Sequence, residues 1–426
     1  MDLSRILAEP VDWRYKCFPP SDTPVTVGTI GSQQWNALTG DLIFPVMLVR
    51  AGALHHNIDL MANYCRDHGV DIAPHGKTPM APQIVSMQLD AGAWAVSAAT
   101  IHQARVFRAF GAQRIVLANE LIGRPAIEWA FSEVACDEGF ELFCLVDSEA
   151  QVQAIADVIG LVRPTHPIYV LIEMGCEGGR TGCRTLSDAR RVGEAVNRHP
   201  ALRLVGVEGY EGPVQGDGLA ERLSAVDQFM GLVREATVEL DRAGLFEQAS
   251  EIVVSAGGST FFDRAVRALA GGWTLSRPVR PVIRAGAYVG HDVGNYEQLS
   301  PLAARSDGGP RLQQVLEIWG SVLSRPQADL AVLDFGRRDV SYDQRLPMPF
   351  EVRISSGKVC SDGNGLTLSA LYDQHAILNV PVDTRLAVGD IVGCHLLHPC
   401  TAFDKWRLIP VVDDDYTVTS ALLTYF

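Results

Sequence analysis

No run of apolar residues in this chain approaches the ~20 that a membrane-spanning helix needs. The opening stretch MDLSRILAEPVDWRYK lacks the basic head, apolar stretch and small-residue cleavage site of a secretory signal, so a cytoplasmic protein is expected. No CxxC pair occurs among the nine cysteines, an odd number at irregular spacings, and most of them are expected as free, buried thiols. Basic residues are in deficit: 36 Lys and Arg against 50 Asp and Glu leave a net charge of -14, spread along the chain. That balance argues against a nucleic-acid backbone as partner. Neither nucleic acid nor membrane is expected to bind, and no internal repeat or low-complexity tract occurs.

What is present is ample apolar material. Hydrophobic residues make up 47 % and charged residues 20 % of 426 residues, enough for one large domain and a smaller one. Residues 1–40 have weak periodicity and several Pro, Gly and Thr, and read as an N-terminal extension with few regular elements. A strand-like FPVMLVR (44–50) follows, then a helix with Leu54, Ile58, Met61 and Cys65 on one face. Eight further strand-like runs come next: DIAPHGK (71–77), WAVSAA (94–99), RIVLANE (114–120), ELFCLVD (141–147), PIYVLIEM (167–174), LRLVGVEGY (202–210), EIVVSAGGS (251–259) and PVIRAGAYVG (281–290).

Amphipathic segments of helical length lie between most of these runs. Eight buried-looking strands alternating with helices predict an α/β fold with a parallel (β/α)8 barrel. A doubly wound open sheet gives a similar string, and the count of eight favours the barrel. After about residue 310 the texture changes to strand-like runs and turns such as DGNG, predicting a β-rich C-terminal domain. The expected domains are therefore an extension (1–40), a barrel with its leading strand and helix (41–300) and a β-rich domain (301–426). The leading strand also suits the β-rich domain, because it precedes the barrel's first helix.

Three motifs carry chemistry. PHGKT (74–78) ends a strand-like run, which would bring Lys77 to the barrel mouth where active sites of this architecture assemble. Partial burial there would favour a neutral amine able to attack an aldehyde. A lone lysine in such a place is more simply a surface loop residue. VSAGGSTFF (254–262) follows the seventh run, and glycine and hydroxyl residues at that point in a barrel suit a phosphate. By itself a Gly-rich turn is weak evidence. HPC (398–400), taken as extended, would present His398 and Cys400 on one side as ligands suited to zinc. From spacing alone, a buried cysteine beside a hydrogen-bonded histidine is the better reading. His395 has an odd offset, turns to the other face and is left out.

Taken together, PHGKT, RTG (180–182), VSAGGST and HPCTAFDKW (398–406) resemble the family of eukaryotic-type D-serine dehydratases and D-threonine aldolases, from about residue 40 to the end. The resemblance implies the alanine-racemase-like architecture of a barrel plus a β-domain. It implies pyridoxal 5'-phosphate held by Lys77 as a Schiff base, and a metal on His398 and Cys400. Arg180 matches an arginine facing the cofactor ring, Tyr210 a tyrosine near the pyridine nitrogen, and Tyr288 an aromatic near the phosphate. Gly257, Gly258, Ser259 and Thr260 match the phosphate loop. Aldolase relatives tend to carry Asp where this chain has Cys400, which points to the zinc-dependent dehydratases. The chain departs from the family's usual His-Ala-Gly-His with Tyr210-Glu211-Gly212-Pro213.

The implied enzyme is a homodimeric lyase acting on a small D-amino acid. Lys77 removes the α-proton, Zn2+ assists departure of a β-hydroxyl, and the products are a keto acid and ammonia, pyruvate from D-serine. Retro-aldol cleavage to glycine and an aldehyde is the nearest alternative. A racemase gains nothing from a metal. A non-catalytic cofactor-binding protein would keep Lys77 and the glycine loop but have no use for HPC.

Overall fold

The computed structural model describes residues 1–160, 166–258, 260–306, 308–354 and 356–426. They form two compact units, one of residues 61–77 and 88–286, the other of residues 1–60, 78–87 and 287–426. In chain order the first strand, β1, is Val46–Arg50. The next eight are β2 (Asp71–Ile72), β3 (Val96–Ala98), β4 (Arg114–Glu120), β5 (Glu141–Val146), β6 (Ile168–Met174), β7 (Leu202–Gly209), β8 (Ile252–Ala256) and β9 (Val279–Ile283).

These eight make one parallel sheet in the order β2-β9-β8-β7-β6-β5-β4-β3. Its two edges meet: His75 and Ser97 form a parallel bridge, with the Gly76 amide donating to Ser97 O at 2.8 Å and the Ser97 amide to Pro74 O at 2.9 Å. The sheet is therefore a closed barrel and not an open one. Strands buried on both faces read as near-continuous apolar runs, as in β8, where all five residues are buried.

Two strands are shorter than their runs. DIAPHGK is paired as strand only to Ile72, because Pro74 has no amide hydrogen to continue the ladder and the chain turns over 76–79. In PVIRAGAYVG the strand stops at Ile283, and Ala287–Val289 is a 3-10 turn. Three barrel helices start on side-chain caps. Thr100 Oγ1, Ser148 Oγ and Thr185 Oγ1 accept from the amides of Gln103, Gln151 and Asp188.

The second unit is a β-sheet unit. Its strands after the barrel are β10 (Leu316–Gln327), β11 (Leu330–Leu333), β12 (Met348–Arg353), β13 (Val359–Ser361), β14 (Thr367–Leu371), β15 (Ala376–Asn379), β16 (Ile391–His395), β17 (Leu408–Val412) and β18 (Val418–Leu423). The main path runs β13-β12-β16-β10-β1-β17-β18, with β11, β15 and β14 branching from β10. β1 is antiparallel to β10 and parallel to β17. Residues 1–40 carry only the helix Ser4–Leu7 and the 3-10 turn Ile30–Gln33, yet Ile6 and Ile30 are fully buried in this unit. Lys16 ties the stretch down through Asp339 at 2.8 Å and lies over the Trp406 ring. All nine cysteines are free, five of them buried. Among the described residues no helix is long and apolar enough to cross a membrane.

Candidate active site

In the barrel unit the polar groups gather at the carboxyl ends of the strands. Lys77 stands in the turn after β2 and is exposed, not part-buried as expected. Gly76 before it is required by packing: a Cβ there would overlap the Phe107 ring. His75 is held well below its usual range, first by burial and then by the positive charges of Lys77, Arg284 and Arg180. Three cations therefore act on one buried ring.

RTG owes its place to carboxylates. Thr181 Oγ1 donates to Glu173 of β6 at 2.8 Å, and the Gly182 amide donates to Asp147, just after β5, at 3.0 Å. Gly182 has φ +100°, and a Cβ there would lie 2.8 Å from Gly175 Cα, so only glycine makes this turn. The anchored loop holds the Arg180 guanidinium over the Tyr210 ring, 4.8 Å from its centre.

Glu120 at the end of β4 completes an acidic group with Asp147 and Glu173, their oxygens within 4.8 Å of one another. Burial, then a hydrogen bond and charge from Glu173, push the Glu120 carboxyl up to about 8.

The glycine loop rests on Arg284. That buried arginine pairs with Glu208 of β7 and donates through Nε to Ser255 Oγ at 3.0 Å. A Cβ on Gly257 would lie 2.6 Å from the Arg284 Cβ, which accounts for the first glycine. Gly257 and Gly258 are buried and Thr260 is half-buried, whereas Ser259 lies outside the described residues. The amides of Gly257 and Gly258 face the buried carboxylate of Glu211. The Lys77 amine, the two arginines Arg180 and Arg284, and amides already turned toward an anion fit a phosphate-bearing aldehyde such as pyridoxal phosphate.

In the β-sheet unit His398 and Cys400 lie beyond β16. The segment is not extended as expected. Pro399 has helical φ of -56°, and Cys400 opens the short helix Cys400–Phe403. The pair still meets. A hydrogen bond to Cys400, and a second to Asp343 at 2.5 Å through Nδ1, help push His398 up to about 9. Asp343 also accepts from Thr401 Oγ1 at 2.7 Å. Thr78 Oγ1 lies 3.2 Å from Cys400 Sγ. With Nδ1 occupied, Nε2 and the thiol are the donors left for a metal, and an imidazole–thiolate set suits zinc. Tyr288 is buried in the same unit, its carbonyl accepting from Asn57 Nδ2 at 3.0 Å. His395 stacks on Phe350 and takes no part in the pair.

A family model described as "Putative serine dehydratase domain" matches residues 315–412, most of the β-sheet unit's late strands and the HPC segment. A 3-hydroxy-D-aspartate aldolase from Paracoccus denitrificans (strain Pd 1222) is 25 % identical over 81 % of this chain and 84 % of its own. A D-threonine aldolase from an Arthrobacter species is 24 % identical over 79 % of this chain and 80 % of its own. The fold agrees as well. The structure of a D-threonine aldolase from Filomicrobium marinum has a TM-score of 0.74 at 22 % identity, covering 90 % of this chain and 95 % of its own. This chain is a homologue of the D-serine dehydratase and D-threonine aldolase family. A D-threo-3-hydroxyaspartate dehydratase from Delftia sp. HT23 has a TM-score of 0.69 at 22 % identity, over 90 % and 98 % of the two chains.

In this homologue of the dehydratases and aldolases, several functional candidates escaped sequence reasoning. Glu173 and Glu208 are carboxylates inside otherwise apolar strands, a signal present in IYVLIEM and LVGVEG. Arg284 stands at the end of an apolar run in the same way. Asp343 gave no signal at all, since nothing local ties it to a histidine 55 positions later.

Proposed function

We propose that this chain is a pyridoxal-phosphate- and zinc-dependent dehydratase of D-β-hydroxy amino acids, forming a keto acid and ammonia. The observation that carries the reading is His398 and Cys400 lying close enough to interact, with Asp343 hydrogen-bonded to His398 Nδ1 and a composition that suits zinc. Among similar structures are D-threo-3-hydroxyaspartate dehydratase variants in which a histidine, and a cysteine two positions further on, are replaced, the latter in the metal-free form. The spacing is that of His398 and Cys400.

Bound pyridoxal phosphate supplies an electron sink beside the substrate's α-carbon. Lys77 Nζ would hold the cofactor and, once freed, take the α-proton from its own face. Gly257, Gly258 and Thr260 would bind the phosphate, with Ser259 between them, and Arg180 and Tyr210 would orient the ring. Tyr288 is assigned to the phosphate end by resemblance. Zinc on His398 Nε2 and Cys400 Sγ would supply Lewis-acid polarisation of an oxygen. One base on one face reaches the α-proton of one enantiomer when carboxylate and hydroxyl are both held, so D substrates are preferred.

Retro-aldol cleavage is the second reading, favoured by the names of the two relatives above. The test follows keto acid, ammonia, glycine and aldehyde from D-serine, D-threonine, threo-3-hydroxy-D-aspartate and their L forms. Keto acid and ammonia from D forms alone are expected. Glycine plus aldehyde as main products would move the chain to the aldolases, and equal rates on L forms would end the stereochemical assignment.

A further inference from the structure

Glu211 follows β7 in the Tyr210-Glu211-Gly212-Pro213 segment. Its side chain is 0 % exposed, and neither carboxylate oxygen makes a hydrogen bond of good geometry among the described residues. The Glu211 Oε1 occupies the space that a Cβ on Gly258 would take, so the second glycine of the loop is a glycine because this carboxylate lies against it. The loop amides of Gly257 and Gly258 face the same carboxylate. Two other charged groups act on it: Arg284, which is already committed to Glu208, and Glu208 itself.

A carboxylate and a phosphate sharing these donors in a water-poor interior repel each other strongly. A protonated carboxyl does the opposite, since its O–H becomes a donor. We propose that Glu211 makes the 257–260 loop a proton-coupled phosphate site: the phosphate binds with Glu211 protonated, the carboxyl O–H donating to it and the proton coming from solvent. Burial already pushes this carboxyl above the usual range, while Arg284 and the loop amides pull it back, so taking the proton is within reach. The inference rests on the loop being the cofactor's phosphate site, as proposed above.

The test compares pyridoxal phosphate with pyridoxal, which lacks the phosphate, on the full-length protein between pH 7 and 9. Affinity is read from the absorbance of the bound compound and by equilibrium dialysis. In the wild type the ratio of the two affinities is expected to fall by up to about tenfold per pH unit, the slope of one coupled proton. In Glu211→Gln the ratio is expected to be flat and to exceed the wild-type ratio at pH 9. Should that variant fail to fold, calorimetry of the wild type in buffers of different ionisation enthalpy gives the same answer. About one more proton is then taken up with the phosphorylated compound than with pyridoxal. A flat ratio in the wild type, or an unchanged slope in Glu211→Gln, overturns the inference while leaving the cofactor assignment standing. No binding of either compound ends the cofactor assignment and the inference with it.

Discussion

In the barrel unit several of the site's charged groups stand at or just beyond strand ends, whereas in the β-sheet unit His398, Cys400 and Asp343 stand on segments between strands. Glu120, Glu173 and Glu208 stand at the ends of β4, β6 and β7, and Arg284 directly follows β9. Asp343 and His398 lie on loops and Cys400 opens the short helix Cys400–Phe403, outside the strands. The difference follows from sheet type. A parallel barrel buries both faces of each strand, so a charge can stand only where strands end. The other sheet leaves strand residues exposed, as in β14. The first unit therefore supplies a site in which Glu120, Glu173 and Glu208 act on one another. The second supplies a compact pair that one distant residue orients.

Removing one group from each unit separates these roles, and the barrel is expected to show the largest effect. Lys77→Ala should abolish borohydride fixation of pyridoxal phosphate and lower turnover by about 10²–10⁴, the range for a lost acid–base group. Normal turnover with a reducible cofactor in that variant would remove Lys77 from the assignment. Cys400→Ala, or treatment with a chelator, should cut elimination by about 10²-fold while the cofactor absorbance stays, because on the proposed reading the pair would act on the leaving group. Full activity in protein shown metal-free by elemental analysis would erase the division of labour between the units.

The orienting residue should matter less than the ligands. Asp343→Asn is expected to weaken zinc binding by about 10–100-fold, read by competition with a chromogenic chelator. Unchanged affinity would leave Asp343 as a surface partner of Thr401. Gly76→Ala tests the barrel's packing, since a methyl there overlaps Phe107. A loss of about 1–3 kcal/mol in denaturant unfolding is expected, and wild-type stability would show that the ring moves aside freely.

The smallest effect expected is on pH dependence. Glu120 is pushed up to about 8 and Glu208 to about 7, both chiefly by burial. The folded protein therefore binds more protons than the unfolded chain between the ordinary carboxylate range and pH 8. Stability from these groups is complete on the acid side and declines as pH rises through that window. Glu120→Gln should flatten the decline and raise Tm at pH 8 relative to wild type. An equally steep fall in that variant would exclude the carboxylate group as its source.

Much of the barrel was legible because parallel strands announce themselves as apolar runs: RIVLANE and β4 coincide residue for residue. The ends were less so. DIAPHGK suggests a longer strand than forms, because Pro74 ends the ladder, and HPC suggests an extended segment, because Pro399 permits either conformation.

The sequence by itself determined the alternation of strands and helices, the glycines that the turns require, and the motifs that place Lys77, the 257–260 loop and His398 with Cys400. These are local matters, set by burial period, backbone freedom and side-chain chemistry over a few residues. Only the tertiary structure decided that the eight strands close through His75 and Ser97, that β1 lies between β10 and β17, that Arg284 meets Glu208, and that Asp343 orients His398. Each of these joins residues far apart in the chain. Such contacts form because many elements pack at once, and no local pattern carries that information.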